Sequence, residues 1–125
     1  METVGLGSDD IKIGIEKTKI KVQGRYKKLR GEKAFPDVSN MISILVDDGI
    51  ASGYTMLAAI KSLKNRGSKN IVVAVPTAHL KSIEMVAPLV HRLFCANVRE
   101  GNRFAVASAY KNWTDVNEEE LSDII

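Results

Sequence analysis

Hydrophobic positions recur with a helical period near the start of the chain and predict one long amphipathic helix over residues 9–30. Its apolar positions are Ile11, Ile15, Val22, Tyr26 and Leu29. Ser8 is the expected N-cap, because its hydroxyl can accept a hydrogen bond from an unpaired helical amide. Gly31 is well placed to end the helix, and a loop is expected over residues 32–40.

The middle of the chain alternates short apolar runs with a helical pattern. Residues 42–46 and 71–75 are almost continuously apolar, which is typical of strands buried on both faces of a parallel sheet. Residues 55–66, between these runs, have apolar positions at helical spacing. Two such strands joined through one helix form a right-handed βαβ unit, so the pattern predicts an α/β fold.

The last third of the chain gives shorter signals. Residues 79–87 are a predicted helix that Pro88 stops, and residues 91–96 together with Val98 are the candidate for a third strand. Asn117 is followed by three glutamates, a typical N-cap pattern that predicts a short helix to residue 124.

Composition is that of one globular domain, with 45% hydrophobic and 26% charged residues in a chain of 125. We expect a single domain over 1–125, with a helical arm and loop at 1–40 and an α/β core at 41–125. No apolar run reaches the roughly 18 to 20 residues that span a bilayer, and the start lacks a signal-peptide pattern, so we expect a cytoplasmic protein. Cys95 lies in an apolar stretch, which favours a buried thiol over a reactive one.

Basic residues are concentrated towards the start, where nine of the 18 lie between positions 12 and 33. We favour a solvated helix face, because no aromatic platform or nucleic-acid motif accompanies the charge. Nucleic-acid binding by the basic helix is the less favoured alternative.

Small and hydroxylated residues fill the turn at 49–55, between the first predicted strand and the next helix. In such a turn, backbone N–H groups can approach an anion closely, and the helix adds its positive N-terminal dipole. Ser52 and Thr55 supply hydroxyl donors, while Gly53 permits close approach or an unusual backbone angle. The turn therefore predicts a phosphate cradle.

Two acids, Asp47 and Asp48, lie between the strand and this turn. Beside a bound phosphate, their carboxylates can accept hydrogen bonds from sugar hydroxyls. The ligand implied is a phosphorylated sugar.

Residues 44–55, which read Ile-Leu-Val-Asp-Asp-Gly-Ile-Ala-Ser-Gly-Tyr-Thr, resemble the 5-phosphoribosyl-1-pyrophosphate (PRPP) signature of type I phosphoribosyltransferases. Ser43 and Gly49 depart from the usual pattern, although glycine after the acids is common in one bacterial and archaeal branch. Residues 71–76 and the tail 104–119 also resemble that branch. Nothing before Ile42 resembles the pyrophosphate loop of the complete proteins, so the chain is similar to their C-terminal part.

This resemblance implies a parallel-sheet, three-layer fold, truncated and preceded by a long helix. It also implies that Asp47 and Asp48 contact the ribose hydroxyls of PRPP. The residues implied to wrap the 5-phosphate are Ala51, Ser52, Gly53, Tyr54 and Thr55. Magnesium is expected to accompany PRPP without a direct protein ligand, and a water-mediated contact to Asp47 or Asp48 stays open.

The function expected from the resemblance is binding of PRPP or a nucleoside 5′-monophosphate, with transfer of the phosphoribosyl group to a nitrogenous base of unspecified identity. Catalysis is an open question, since one side of the broken bond lacks its loop. The alternative is a catalytically inactive binding protein or remnant. Phe104, Tyr110 and Trp113 are either a wall against the base or core residues, and Tyr54 either covers the ligand or the helix start. His79 and His91 show no catalytic partner.

A sheet with missing strands leaves an exposed edge and uncovered apolar faces. We therefore expect a homodimer or larger assembly that uses the helix at 9–30.

Overall fold

The computed structural model describes residues 7–101, 104–117 and 120–121. These residues form two compact units. One lies within Met1–Phe35 and Asp115–Ile125, and the other within Pro36–Thr114. Among the described residues, no helix has the length and apolarity that crossing a membrane requires.

The first unit is built on helix α1, Ser8–Arg30, which confirms the long N-terminal helix. The N-cap is Gly7 and not Ser8, because the Asp10 carboxylate accepts the Gly7 N–H at 3.1 Å. No residue of α1 is buried. Its predicted apolar stripe is therefore largely open to solvent.

The chain's last described residues confirm the predicted N-cap. The Glu120 N–H donates to Asn117 Oδ1 at 2.9 Å, and the Asn117 N–H donates to Glu120 Oε2 at 2.9 Å. This reciprocal pair satisfies two backbone donors that a helix start leaves open. The remainder of the predicted terminal helix, at 118–119 and 122–124, lies outside the described residues.

The second unit contains three parallel strands in the order β1-β2-β3. Its elements are β1 Ile42–Val46, α2 Tyr54–Asn65, β2 Asn70–His79, α3 Leu80–Val86 and β3 Arg92–Arg99. Two 3-10 turns, Ala87–Leu89 and Val106–Ala109, precede and follow β3. The α/β fold predicted from the sequence is confirmed, with the predicted bounds of the first strand and with β2 continuing through Pro76 to His79.

The core lies on one face of this sheet. Alternate residues of β2 are almost fully buried there, with Ile71, Val73 and Val75 at 2%, 0% and 5% exposure. They pack with Ile60 of α2 and Val86 of α3. Both helices lie on this face because right-handed crossovers that proceed in the same direction place their helices on the same side.

The other face of the sheet corrects the prediction of strands buried on both faces. Ile42, Ile44 and Val46 of β1 are 67%, 62% and 74% exposed, and Phe94 of β3 is 56% exposed. The prediction was wrong for β1 because it is an edge strand whose unit places α2 and α3 on the opposite face. Cys95 is likewise half-buried at the rim of the core rather than fully buried.

Candidate ligand-binding site

The loop that joins β1 to α2 is fixed to the neighbouring strand at Ile50. The Ile50 N–H donates to the Thr77 carbonyl at 3.0 Å, and the His79 N–H donates to the Ile50 carbonyl at 2.9 Å. Ile50 is 3% exposed and belongs to the core. The extension of β2 beyond Pro76 therefore provides a rigid attachment for the turn that follows the two acids.

Gly53 ends this loop and begins α2 in a left-handed conformation, with φ of 82°. A Cβ at this position would also lie 2.5 Å from Cε of Met85. The backbone angle favours glycine here, and a side chain would in addition displace the end of Met85. The sequence predicted the need for glycine, but not that α3 is the surface the loop approaches.

Ser82 of α3 supports the same turn. Its hydroxyl donates to the carbonyl of Ala51, and its side chain lies almost completely out of solvent at 4% exposure. Sequence reasoning missed Ser82 and Met85. They lie about 30 residues beyond the turn, where no local pattern marks them as partners.

A cavity of about 160 Å³ opens beside the turn. Its lining is Asp47, Gly49, Ile50, Ala51, Ser52, Gly53, Thr55, Met56 and Val106. Of the seven residues expected to bind the ligand, Asp48 and Tyr54 lie outside this lining. Tyr54 is 72% exposed, so its ring is directed to solvent from the start of α2. The first turn of α2 adds backbone N–H groups that have no acceptor within the helix.

The two acids are linked to each other. Asp47 Oδ1 accepts a hydrogen bond from the Asp48 N–H at 3.0 Å. Partial removal from water raises the pKa of the Asp48 carboxyl, and the negative charge of Asp47 raises it further. A ligand that donates hydrogen bonds to the Asp48 carboxylate would stabilise its ionised form and so lower its pKa again.

The chain returns to these acids after β3. The Tyr110 hydroxyl donates to the Asp48 carbonyl at 2.6 Å. Next to it, Val106 occupies the space where a side chain at Gly49 would lie, with Cγ1 only 2.7 Å from the ideal Cβ position. The Tyr110 ring meets that of Trp113 at 5.2 Å between centroids, but the two residues are 37% and 38% exposed, so neither belongs to the buried core.

A second and larger cavity, of about 390 Å³, shares Ala51 and Ser52 with the first. Its other lining residues are His79, Lys81, Gly101 and Phe104. Phe104 therefore lies at the wall of this cavity.

His79 in this cavity is held by backbone groups. Its Nε2 donates to the Gly101 carbonyl at 2.8 Å, and its Nδ1 accepts the Lys81 N–H at 3.2 Å. Both ring nitrogens are thus engaged in hydrogen bonds to the main chain.

No group of three histidine, cysteine or acidic side chains that could hold a metal ion is found in the part of the chain that the structure describes.

Known proteins resemble this chain in sequence and fold. The sequence pattern of the phosphoribosyl transferase domain matches residues 8–112, and the chain belongs to that family. The resemblance inferred from residues 44–55 is thereby confirmed.

Individual relatives agree with this assignment. A Mycobacterium tuberculosis protein named provisionally as a phosphoribosyl transferase is 29% identical over 82% of this chain and 23% of its own length. The uracil phosphoribosyltransferase of Acinetobacter baylyi is 33% identical over 71% of this chain and 42% of its own. The crystal structure of TT1426 from Thermus thermophilus matches with a TM-score of 0.69 and 30% identity, over 83% of this chain and 48% of that one. The chain thus spans less than half the length of each of these proteins.

Proposed function

We propose that the chain binds the 5-phosphoribosyl group of PRPP or of a nucleoside 5′-monophosphate at the loop between β1 and α2. The observation that carries this proposal is the 160 Å³ cavity, in which a small-residue turn and a helix start meet one of two adjacent acids. The size and position of this cavity suit a phosphate with the sugar extending towards the acids.

The phosphate is proposed to lie against residues 51–55. Ser52 and Thr55 supply hydroxyls, and the backbone N–H groups at the start of α2 supply further donors and a positive dipole. Ser82 and Met85 hold this turn from behind, so its donors are oriented before the ligand arrives. Binding would therefore depend mainly on the backbone, and Tyr54 would contribute only its N–H.

The ribose is proposed to lie against Asp47 and Asp48. Their carboxylates accept hydrogen bonds from hydroxyls. Such bonds stabilise the ionised form of Asp48, whose pKa is raised by partial removal from water and by the charge of Asp47. Magnesium is proposed to lie near the same pair, since the charges of Asp47 and Asp48 influence each other and neighbouring carboxylates attract a cation that keeps most of its water. The ion would neutralise the pyrophosphate charge of PRPP.

Transfer of the phosphoribosyl group to a nitrogenous base is the further part of the proposal. It is supported by the family, by the name of the Acinetobacter relative, and by the 390 Å³ cavity that adjoins the phosphate turn. Phe104 offers this second cavity an aromatic surface against which a flat base could pack. During transfer the anomeric C–O bond to pyrophosphate breaks and a C–N bond to the base forms, while the proton of the attacking base nitrogen passes to the departing pyrophosphate or to water.

Calorimetry tests the binding site. Wild-type protein is expected to bind ribose 5-phosphate, and PRPP more tightly in the presence of magnesium. Asp47→Asn combined with Asp48→Asn is expected to weaken ribose 5-phosphate binding by about tenfold or more, because two charged acceptors are lost. Glu84→Gln, a change at an exposed acid of α3, is the matched control and should leave binding unchanged. Equal affinity of the double variant and the wild type would refute the sugar contact.

Release of pyrophosphate separates a transferase from a binding protein. PRPP and magnesium are incubated with a panel of pyrimidine and purine bases, and pyrophosphate is measured. Base-dependent release supports transfer. Binding without release supports the catalytically inactive alternative.

Nucleic-acid binding by α1 has weaker support. Eight basic residues lie on this helix, but Lys12 and Lys19 already pair with Asp9 and Glu16 at 3.5 Å and 2.7 Å. The absence of salt-dependent RNA or DNA binding at low ionic strength would exclude this function.

A further inference from the structure

We infer that Tyr110 is a positioning residue for the sugar-binding acids, an inference that rests on the proposed function. Its hydroxyl donates to the Asp48 carbonyl at 2.6 Å, across 62 residues of sequence. Since the hydroxyl bonds to a backbone carbonyl of the loop, its effect on a sugar is exerted through Asp48.

The loop needs this support at one particular place. β1 ends where Val46 pairs with Ala74, and the chain is fixed again where Ile50 bonds to β2. Residues 47–49 bridge these two points. They include Gly49, whose backbone is intrinsically the freest of the three.

Two contacts from the segment that follows β3 restrict the conformation of residues 47–49. Val106 packs into the space above Gly49, and the Tyr110 hydroxyl holds the carbonyl of the peptide that joins Asp48 to Gly49. Orientation of that peptide fixes the direction in which the Asp48 side chain leaves the backbone. Loss of the hydroxyl would therefore loosen the carboxylate without removing it.

The phosphate turn has a separate support. The Ser82 hydroxyl binds the Ala51 carbonyl, on the far side of the Ile50 attachment from Tyr110. Because the fixed point lies between them, the two supports act on different parts of the ligand. Tyr110 should affect the recognition of sugar hydroxyls, and Ser82 should affect the binding of phosphate.

Tyr110→Phe removes the hydroxyl and retains the ring that meets Trp113. The affinities of wild type and variant are measured by calorimetry for inorganic phosphate, ribose 5-phosphate and 2-deoxyribose 5-phosphate. We expect Tyr110→Phe to weaken ribose 5-phosphate binding by roughly threefold to tenfold, the size of one lost hydrogen bond. Its preference for ribose over 2-deoxyribose should shrink, while inorganic phosphate binds within about twofold of wild type.

Two controls isolate the effect. Tyr26→Phe removes an exposed hydroxyl from α1 and should change none of the three affinities. Ser82→Ala should weaken all three ligands alike, because it acts on the phosphate turn. Circular dichroism and a urea titration establish that each variant is folded.

The outcomes are separable. If wild-type protein fails to bind ribose 5-phosphate, the proposed function falls and this inference falls with it. If wild type binds but Tyr110→Phe binds ribose 5-phosphate equally well, or loses phosphate to the same extent, only the role of Tyr110 is overturned. Should Tyr110→Phe not fold, Trp113→Ala keeps the hydroxyl and removes the ring that packs against Tyr110. The inference then expects the preference for ribose to be retained, and its loss in that variant would assign the effect to ring packing and overturn the inference.

Discussion

Replacing Gly49 with alanine tests whether the segment after β3, which contains Val106, packs against the loop at residues 47–49. The added Cβ would lie 2.7 Å and 2.9 Å from the two methyl carbons of Val106, and 2.9 Å from Cγ2 of Thr77. These pairs must separate by about 0.5 to 0.7 Å to reach the 3.4 Å of ordinary contact. Thr77 is 2% exposed and has little space to move, so Val106 must give way.

Overpacking of this kind costs about 1–3 kcal/mol. We therefore expect Gly49→Ala to lower the free energy of unfolding, measured by urea titration, by that amount. Displacement of Val106 also moves the segment that carries Tyr110, so ribose 5-phosphate should bind more weakly. Gly49 has no positive φ, so backbone strain does not confuse the interpretation.

A double-mutant cycle assigns the cost to the right neighbour. In a Val106→Ala background two of the three closest atoms are absent, and Gly49→Ala should cost about 1 kcal/mol less than in wild type. Gly14→Ala is the matched control, since no atom lies within 4 Å of its added Cβ in α1. It should raise helix content and leave ligand affinity unchanged. The packing argument is refuted if the free energy of unfolding of Gly49→Ala lies within about 0.3 kcal/mol of the wild-type value and the variant binds ribose 5-phosphate with wild-type affinity.

Three further predictions concern charge, burial and assembly. Because the pKa of Asp48 is raised in the folded protein, this carboxyl favours folding below its unfolded pKa, and that contribution is lost as pH rises through the folded pKa. Asp48→Asn should therefore be more stable than wild type at pH 7 yet bind ribose 5-phosphate more weakly, and a less stable variant by urea titration would contradict this. Thr77 Oγ1 is buried without a hydrogen-bond partner among the described residues, so Thr77→Val should raise stability by about 1 kcal/mol, and a destabilised variant would show that the hydroxyl has a role. We also propose a homodimer or larger assembly, because Ile44 and Val46 leave the sheet face open and α1 has no buried residue, and sedimentation as a stable monomer would refute it.

Local sequence patterns determined the elements and the position of the site. The bounds of β1, the long helix α1, the Asn117 cap and the turn at 49–55 were all predictable, because each depends on residues within a few positions of one another. The same local logic identified Asp47 and the small residues that line the 160 Å³ cavity.

Only the tertiary structure decided what holds that site in place. Ser82, Met85, Val106 and Tyr110 contact the loop from about 30 to 60 residues further along the chain, and their own neighbourhoods give no sign of it. Burial also depended on topology, since an apolar run such as 42–46 looks the same whether one face of the strand is covered or two. The sequence thus determined which chemical groups the loop carries. The strand order and the segment after β3 determined the shape of the loop, because packing between distant segments is decided only when the whole fold forms.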